Sequence, residues 1–296
     1  MILYLLNFLY LNSFTRGIFK WILRIITGKC ELLRIVYSKE PDLLKILNIE
    51  SSLRLSKSRK LNHVHISDNL DDKKLVQDII TEKSINIQYH SRFVVPMELY
   101  LSQISGYHKL TREVEHLRKI PYSSENSEHE DLLMKLWNKL NPGVKLPSRK
   151  TVLWEDIGFQ GKDPATDFRG MGMLGLNCLV YLSLCHTETA RYLLSHSHHP
   201  KYGYFFAIVG INITSVAYQF LMRGKLRSHF YAAVKKKPLM SDFYRIFIHF
   251  YYEFDKYWMS KQPDSIMEFE RIRTEFEQIM LNLLESNNVP LQFTFI

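Results

Sequence analysis

Apolar residues recur three and four positions apart along almost the whole of this 296-residue chain, and nowhere do apolar and polar residues alternate long enough for a strand. That spacing predicts helices over Leu70 to Ser84, Met97 to Ile120, His129 to Leu140, Thr187 to His199, Met222 to Lys237, Ser241 to Met259 and Pro263 to Glu285. Pro121, then Pro142 with Gly143, and Pro147 punctuate the run, because proline lacks an N–H and pushes the residue before it out of the helical region. Another helical pattern runs from Cys30 to about Ile49 with a break at Pro41. Residues 53–69 then turn polar and basic, as a linker or surface arm would. The expected fold is all-α, a multi-helix bundle behind an N-terminal apolar and amphipathic helix.

Two segments raise the question of a membrane. Residues 1–14 (MILYLLNFLYLNSF) are strongly apolar, but a helical span takes about 20 residues, and no basic n-region or small-residue cleavage site marks a secretory signal. Beyond them Arg16, Lys20 and Arg24 fall four apart beside Phe19, Trp21, Ile22, Ile25 and Ile26. This pattern suits a helix lying in a membrane interface, a helix packed on the domain, or a tilted anchor starting at Met1. Residues 203–222 form the most apolar long run, yet Asn212, Thr214, Ser215 and Gln219 would all need partners in lipid. A buried central helix is expected there.

With 46% hydrophobic and 23% charged residues the chain reads as ordered. Its 39 Lys and Arg against 30 Asp and Glu, a net +9, favour an anionic partner without choosing among nucleic acid, acidic membrane and an acidic protein face. The aromatics fall on apolar helical faces instead of alternating with basic residues, which argues against nucleic acid. Cys30, Cys178 and Cys185 suit neither a disulfide framework nor a zinc site, and fit a reducing, cytosolic setting. Cys178 and Cys185 share a helix face and read as buried small apolar residues. His196, His198 and His199 lie at a helix end, where histidine complements the dipole, and are not taken as metal ligands. His186-Thr187-Glu188 lacks the PCxxC half of a deaminase site. GxxxxGK[ST], GxSxG and HExxH are absent, so no independent enzyme activity is expected.

Candidate chemistry concentrates in residues 154–181, WEDIGFQGKDPATDFRGMGMLGLNCLVY, which hold five of the 12 glycines. Lys162-Asp163-Pro164 is turn chemistry, and Thr166 or Asp167 is suited to cap a following helix. Met171, Leu174, Cys178 and Tyr181 would form that helix's apolar stripe. Arg169 then falls in the first helical turn, where the dipole disfavours a cation, so a partner or a task is implied. Asp167 offers a local ion pair. Gly170 to Gly175 also spells GxGxxG, but the residues before it are polar and turn-like where a dinucleotide site needs a strand. The glycines are therefore read as close helix packing.

Trp154, Gly158-Phe159-Gln160-Gly161, Asp163-Pro164, Thr166 to Gly170, Gly172 and Leu174-Gly175-Leu176 resemble the core motif of the ELMO domain. Residues 129–142 (HEDLLMKLWNKLNP), His199-Pro200 with 207–212 (AIVGIN), 251–258 (YYEFDKYW) and 265–269 (SIMEF) extend the resemblance over roughly residues 130–285. The implied layout is an N-terminal helix over 1–29, a helical region over 30–125 with the basic linker near 53–69, and an ELMO domain over 126–290. The short members of that family act as GTPase-activating proteins for Arf and Arf-like small GTPases. The resemblance thus implies an arginine finger at Arg169, supported by Asp167, Gln160 and Asp163 and anchored by Trp154, Phe159 and Phe168. GTP and magnesium would belong to the partner GTPase, with no cofactor or metal in this chain. From the cysteines and the amphipathic N-terminal pattern, and not from the resemblance, the expected setting is cytoplasmic, peripheral on intracellular membranes through residues 1–29. The competing expectation is a non-catalytic adaptor that recruits a small GTPase or exchange factor to membranes.

Overall fold

Among the described residues the helical periodicity folds as helices, although the helix expected over Met222 to Lys237 is cut to Arg227–Ala233 and part of the expected linker is helical, at Arg59–Asn62. The computed structural model describes residues 13–62, 71–286, 291 and 293, so the apolar start at 1–12, residues 63–70 of the expected linker and most of the last residues lie outside the described residues. Every regular element among the described residues is helical, as an all-α chain requires. In order they are α1 (Ser13–Thr27), α2 (Glu31–Val36), α3 (Asp42–Arg54), α4 (Arg59–Asn62), α5 (Asp72–Lys83), α6 (Val94–Lys119), α7 (Ser127–Leu140), α8 (Gly172–Cys185), α9 (Thr187–Ser197), α10 (Phe206–Met222), α11 (Arg227–Ala233), α12 (Met240–Lys261) and α13 (Phe269–Ser286). Short 3₁₀ turns occupy Val152–Ile157, Pro164–Arg169 and Ile266–Glu268. The chain forms two units, residues 1–108 with 234–237, and residues 109–233 with 238–296; the division falls inside α6.

In the first unit, local chemistry sets the helix ends. Gly28 takes the left-handed conformation (φ 64°) and donates to the Arg24 carbonyl, closing α1. Asp71 caps α5 by accepting from the Lys73 and Lys74 amides. Ile46, Ile49, Leu53, Ile79, Phe93, Met97, Leu101 and Ile104 are buried. Polar ties cross between the helices: Tyr100 donates to Asp42 (2.6 Å), Ser105 to Asp72 (2.9 Å), and buried Glu50 meets His108 Nε2 at 2.9 Å. Helix α1 stands apart from this pattern, because Phe19 and Leu23 are half-buried but Trp21, Ile25 and Ile26 are 63%, 62% and 73% exposed.

The second unit is built around α8. The expected stripe of Met171, Leu174, Cys178 and Tyr181 widens here to burial on nearly every side, from Gly172 to Ser183, with Asn177 and Tyr181 only half-buried. Helices α7, α9, α10 and α12 surround it. A Cβ on Gly210 of α10 would come within 2.5 Å of Leu179 Cδ2, so that glycine lets α10 cross α8 closely. The run at 203–222 becomes the buried α10, as its polar residues demanded: Asn212 donates to the Ile208 carbonyl and Thr214 to the Gly210 carbonyl. No single helix among the described residues is long and apolar enough to cross a membrane. Trp137, Trp154 and Trp258 are all fully buried in this unit.

Candidate functional site

The GFQG and DFRG segments come together as two 3₁₀ turns joined by a short loop. Thr151 starts the first by accepting from the Leu153 amide, and its own amide donates to the Lys162 carbonyl (3.0 Å), which closes the loop on itself. Gly158 ends that turn at φ 77°, where a Cβ would lie 2.1 Å from the Phe206 amide nitrogen. The second turn begins at Asp163, whose carboxylate accepts from the Ala165 amide (3.1 Å), with Pro164 at the first position, where its missing N–H costs nothing. Asp163 therefore caps this turn, whereas helix α8 begins after Met171 with no side-chain cap, so neither Thr166 nor Asp167 caps it as expected. Helix α8 starts only at Gly172, so Arg169 ends a 3₁₀ turn instead of sitting in the first turn of the helix. Ring stiffness at Pro164 and the cap at Asp163 favour this early, tight start.

Arg169 itself is exposed, and among the described residues no hydrogen bond or ion pair holds its guanidinium. The local ion pair with Asp167 is not made. Asp167 Oδ2 instead accepts from the Gln160 amide (2.8 Å) and its Oδ1 from the Thr166 hydroxyl (3.3 Å), which pins one turn to the other. Burial raises the Asp167 carboxyl, opposed by these two bonds and, more weakly, by the charge of Arg169. Gln160 is exposed and contributes its backbone to the site. Gly161 and Gly170, flanking this surface, are exposed with open space around a would-be Cβ.

Beneath the surface the expected apolar anchors form one aromatic run. Trp137 meets Trp154 edge to face at 5.3 Å, Trp154 meets Phe159 at 5.9 Å, Phe159 meets Phe168 at 5.6 Å, and Phe168 lies 5.2 Å from Tyr122. Trp154, Phe159 and Phe168 are buried to 1% exposure or less. Each such contact contributes roughly 0.5–1.5 kcal/mol beyond burial, so Phe168 fixes the backbone immediately before Arg169.

Sequence reading missed the polar layer under this loop. Arg149 donates to Glu130 (2.9 and 2.6 Å) and to the Tyr122 hydroxyl (3.2 Å), and its guanidinium faces the rings of Tyr122 and Trp154 at 5.9 Å each. Its Nη1 lies 3.2 Å from Asp163 Oδ1, an ion contact without hydrogen-bond alignment. Trp154 Nε1 donates to the Arg149 carbonyl at 2.9 Å. Although burial disfavours both charges, Glu130 and Tyr122 hold the Arg149 guanidinium protonated, while the Ala165 amide, Lys150 and Arg149 lower the Asp163 carboxyl. The sole sequence signal was a cation in a proline-bounded loop, PSRKT.

The last turns of α6 hold the far side. Met173 N–H donates to the Ile120 carbonyl (2.9 Å), and a Cβ on Gly172 (φ 50°) would lie 2.3 Å from that same oxygen. Glu115 accepts from Arg118 (2.8 and 2.9 Å) and from Tyr218 of α10 (2.6 Å), partners that hold its carboxyl well below the usual range. The glycines of GMGMLG thus split as close packing at Gly172 and Gly175 and open surface at Gly170, and a 3₁₀ turn, not a strand, precedes them.

The histidines have other occupations. His196 Nδ1 lies 2.8 Å from buried Asp255 of α12, a partner that sequence spacing could not reveal; His198 meets the Asp156 carbonyl, and His199 accepts from the Lys201 and Tyr202 amides. Among the described residues no group of three or more His, Cys, Asp or Glu could hold a metal ion. Cys178 is buried as expected, whereas Cys185, at the end of α8, is exposed.

The profile of the ELMO/CED-12 family matches residues 112–273, which contain both turns, Arg149 and the Glu115 clamp. The chain is 45% identical to human ELMO domain-containing protein 2 over 292 residues, covering 98% of this chain and 99% of that protein. It is 39% identical to human ELMO domain-containing protein 1 (92% of this chain, 89% of that protein) and 36% identical to ELMO domain-containing protein B of Dictyostelium discoideum (88% and 92%). No solved structure matches the chain. Since the family profile spans the aromatic run and the arginine turn above it, and relatives align over nearly their full length, the chain belongs to the ELMO/CED-12 family.

Proposed function

We propose that this protein is a GTPase activator for an Arf or Arf-like small GTPase, and that Arg169 enters the partner's nucleotide site as an arginine finger. Proteins with this domain are associated with small-GTPase regulation, which sets the partner class. The observation that carries the reading is an exposed guanidinium with no internal hydrogen bond or ion pair among the described residues, on a backbone pinned by buried Phe168 and by the bond from Gln160 to Asp167. Such a side chain gives up no bond on entering another protein, and its base does not need ordering. A small GTPase hydrolyses slowly because charge on the γ-phosphoryl oxygens lacks compensation, and a planar, permanently charged donor of paired hydrogen bonds supplies it. The gain is ~10³ to 10⁵ in rate, or roughly 4–7 kcal/mol. GTP and its magnesium come with the partner. Asp167 and Asp163 act by positioning, through the two turns, and Trp154 and Phe159 by bracing them.

Single-turnover GTP hydrolysis across a panel of Arf-family GTPases, with and without this protein, tests the reading. Stimulation is expected for at least one member. Arg169→Lys is expected to lose about 10³-fold or more of that stimulation while melting within ~0.5 kcal/mol of the parent, because the side chain bonds to nothing internal. Binding of GTP-loaded partner with no change in rate would instead make the protein an adaptor.

A further inference from the structure

We propose that α1 is a lipid-surface helix, docked on its own unit through Arg16, Phe19, Lys20 and Leu23 and presenting its outward apolar face to an anionic bilayer. An amphipathic helix of a globular protein ordinarily turns its apolar face inward and its charges outward. Helix α1 has apolar residues on both sides: Phe19 and Leu23 are half-buried beside Arg16 and Lys20, and a second apolar row is left outside. Lys20 is turned to the unit, where its Nζ lies 2.5 Å from Glu31 Oε2, and the Arg16 side chain is half-buried. Ile18, Trp21, Ile22, Ile25 and Ile26 face outward, from 41% to 73% exposed.

The chemistry of the segment selects the occupant. Helix α1 holds no Asp or Glu, whereas Arg16, Lys20 and Arg24 lie on it, and Arg24 stands three positions from Trp21 at the border of the apolar face. Arg24 is exposed beside Trp21 and Ile25, so the outward face offers aliphatic and indole groups edged by a cation and no acid, which matches a phosphatidylserine surface. The inference is independent of the GTPase reading, since none of these residues belongs to the arginine site.

The full chain is sedimented with vesicles of phosphatidylcholine alone and of phosphatidylcholine with phosphatidylserine, at low and high salt. Binding is expected to the mixed vesicles, weakened by salt. Trp21→Glu with Ile25→Glu is expected to lower the bound fraction at least about tenfold, and Arg24→Glu to reduce it on anionic vesicles while the protein stays folded. Trp21 is 63% exposed and the other three tryptophans are fully buried, so collisional quenching of indole emission reads this helix, and vesicles should protect it. Wild-type protein left in the supernatant, a double variant that still sediments, or emission equally quenchable with vesicles would overturn the proposal. So would self-association that Trp21→Glu abolishes without any vesicle binding. Solution GTP hydrolysis measured on the same double variant keeps the two readings apart, because only the loss of vesicle binding bears on α1.

Discussion

Gly170 and Gly172 sit two residues apart and answer to different demands. Gly172 needs a left-handed backbone and contact with the Ile120 carbonyl, so Gly172→Ala should cost roughly 2–4 kcal/mol, seen as a drop in denaturation midpoint. Gly170 has an ordinary helical conformation (φ −81°, ψ −37°) and open space, so nothing in this fold requires a glycine there. Gly170→Ala should fold at least as stably as the parent, within ~1 kcal/mol, yet lower stimulated GTP hydrolysis if a partner backbone approaches Arg169. Wild-type stimulation by that variant would show that the partner does not come so close. Arg169 was legible in the sequence through its motif, and its isolation was not, because Asp167 stood two residues away and only the fold reveals that the Gln160 amide takes that carboxylate.

Among the elements, the two 3₁₀ turns were the least legible. Short apolar spacings in VLWEDI and PATDFR fit an α-helix as well as a tighter coil, and the turn that wins is set by Asp163, Pro164 and Gly158 acting together. The longer helices were readable because their periodicity runs for many turns. The layer that supports the turns was hidden for a different reason: Arg149 reaches Glu130 19 residues away and Tyr122 27 residues away, distances at which spacing carries no information. Removing that cation leaves Glu130 partly buried without its charge partner, so Arg149→Met should cost about 3 kcal/mol. Hydrolysis stimulated by the folded fraction should fall as well, because Asp163 and Trp154 both hold to Arg149. Full activity at unchanged stability in that variant would remove Arg149 from any part in shaping the arginine turn.

For the whole molecule, the helical class and the buried central helix at α10 followed from composition and period, while the division into units did not, since α6 runs through it without a change in pattern. Acid sensitivity also belongs to this scale. His229 and His249 are 3% and 5% exposed, and burial, joined for His229 by the neighbouring His249, pushes both down to about 4 from 6.5. The unfolded chain therefore binds more protons than the folded one between those values, so their stabilising effect is whole above about pH 6.5 and lost as pH falls through 4. Each is worth on the order of 3 kcal/mol, not strictly additive because the two interact. Asp255, whose carboxyl burial raises, works in the opposite sense. Thermal melting should decline from about pH 7 to about pH 4.5, and His249→Phe should flatten that decline; an unchanged slope would assign the loss to other groups. Glu115, clamped to Tyr218, and Ile120, bonded to Met173, lie ahead of α7, and the family profile likewise begins within α6, at residue 112. The shortest polypeptide able to keep the arginine turn in shape must then start upstream of Glu115, and any excision at the following proline would discard the buttress along with what looks like a spacer.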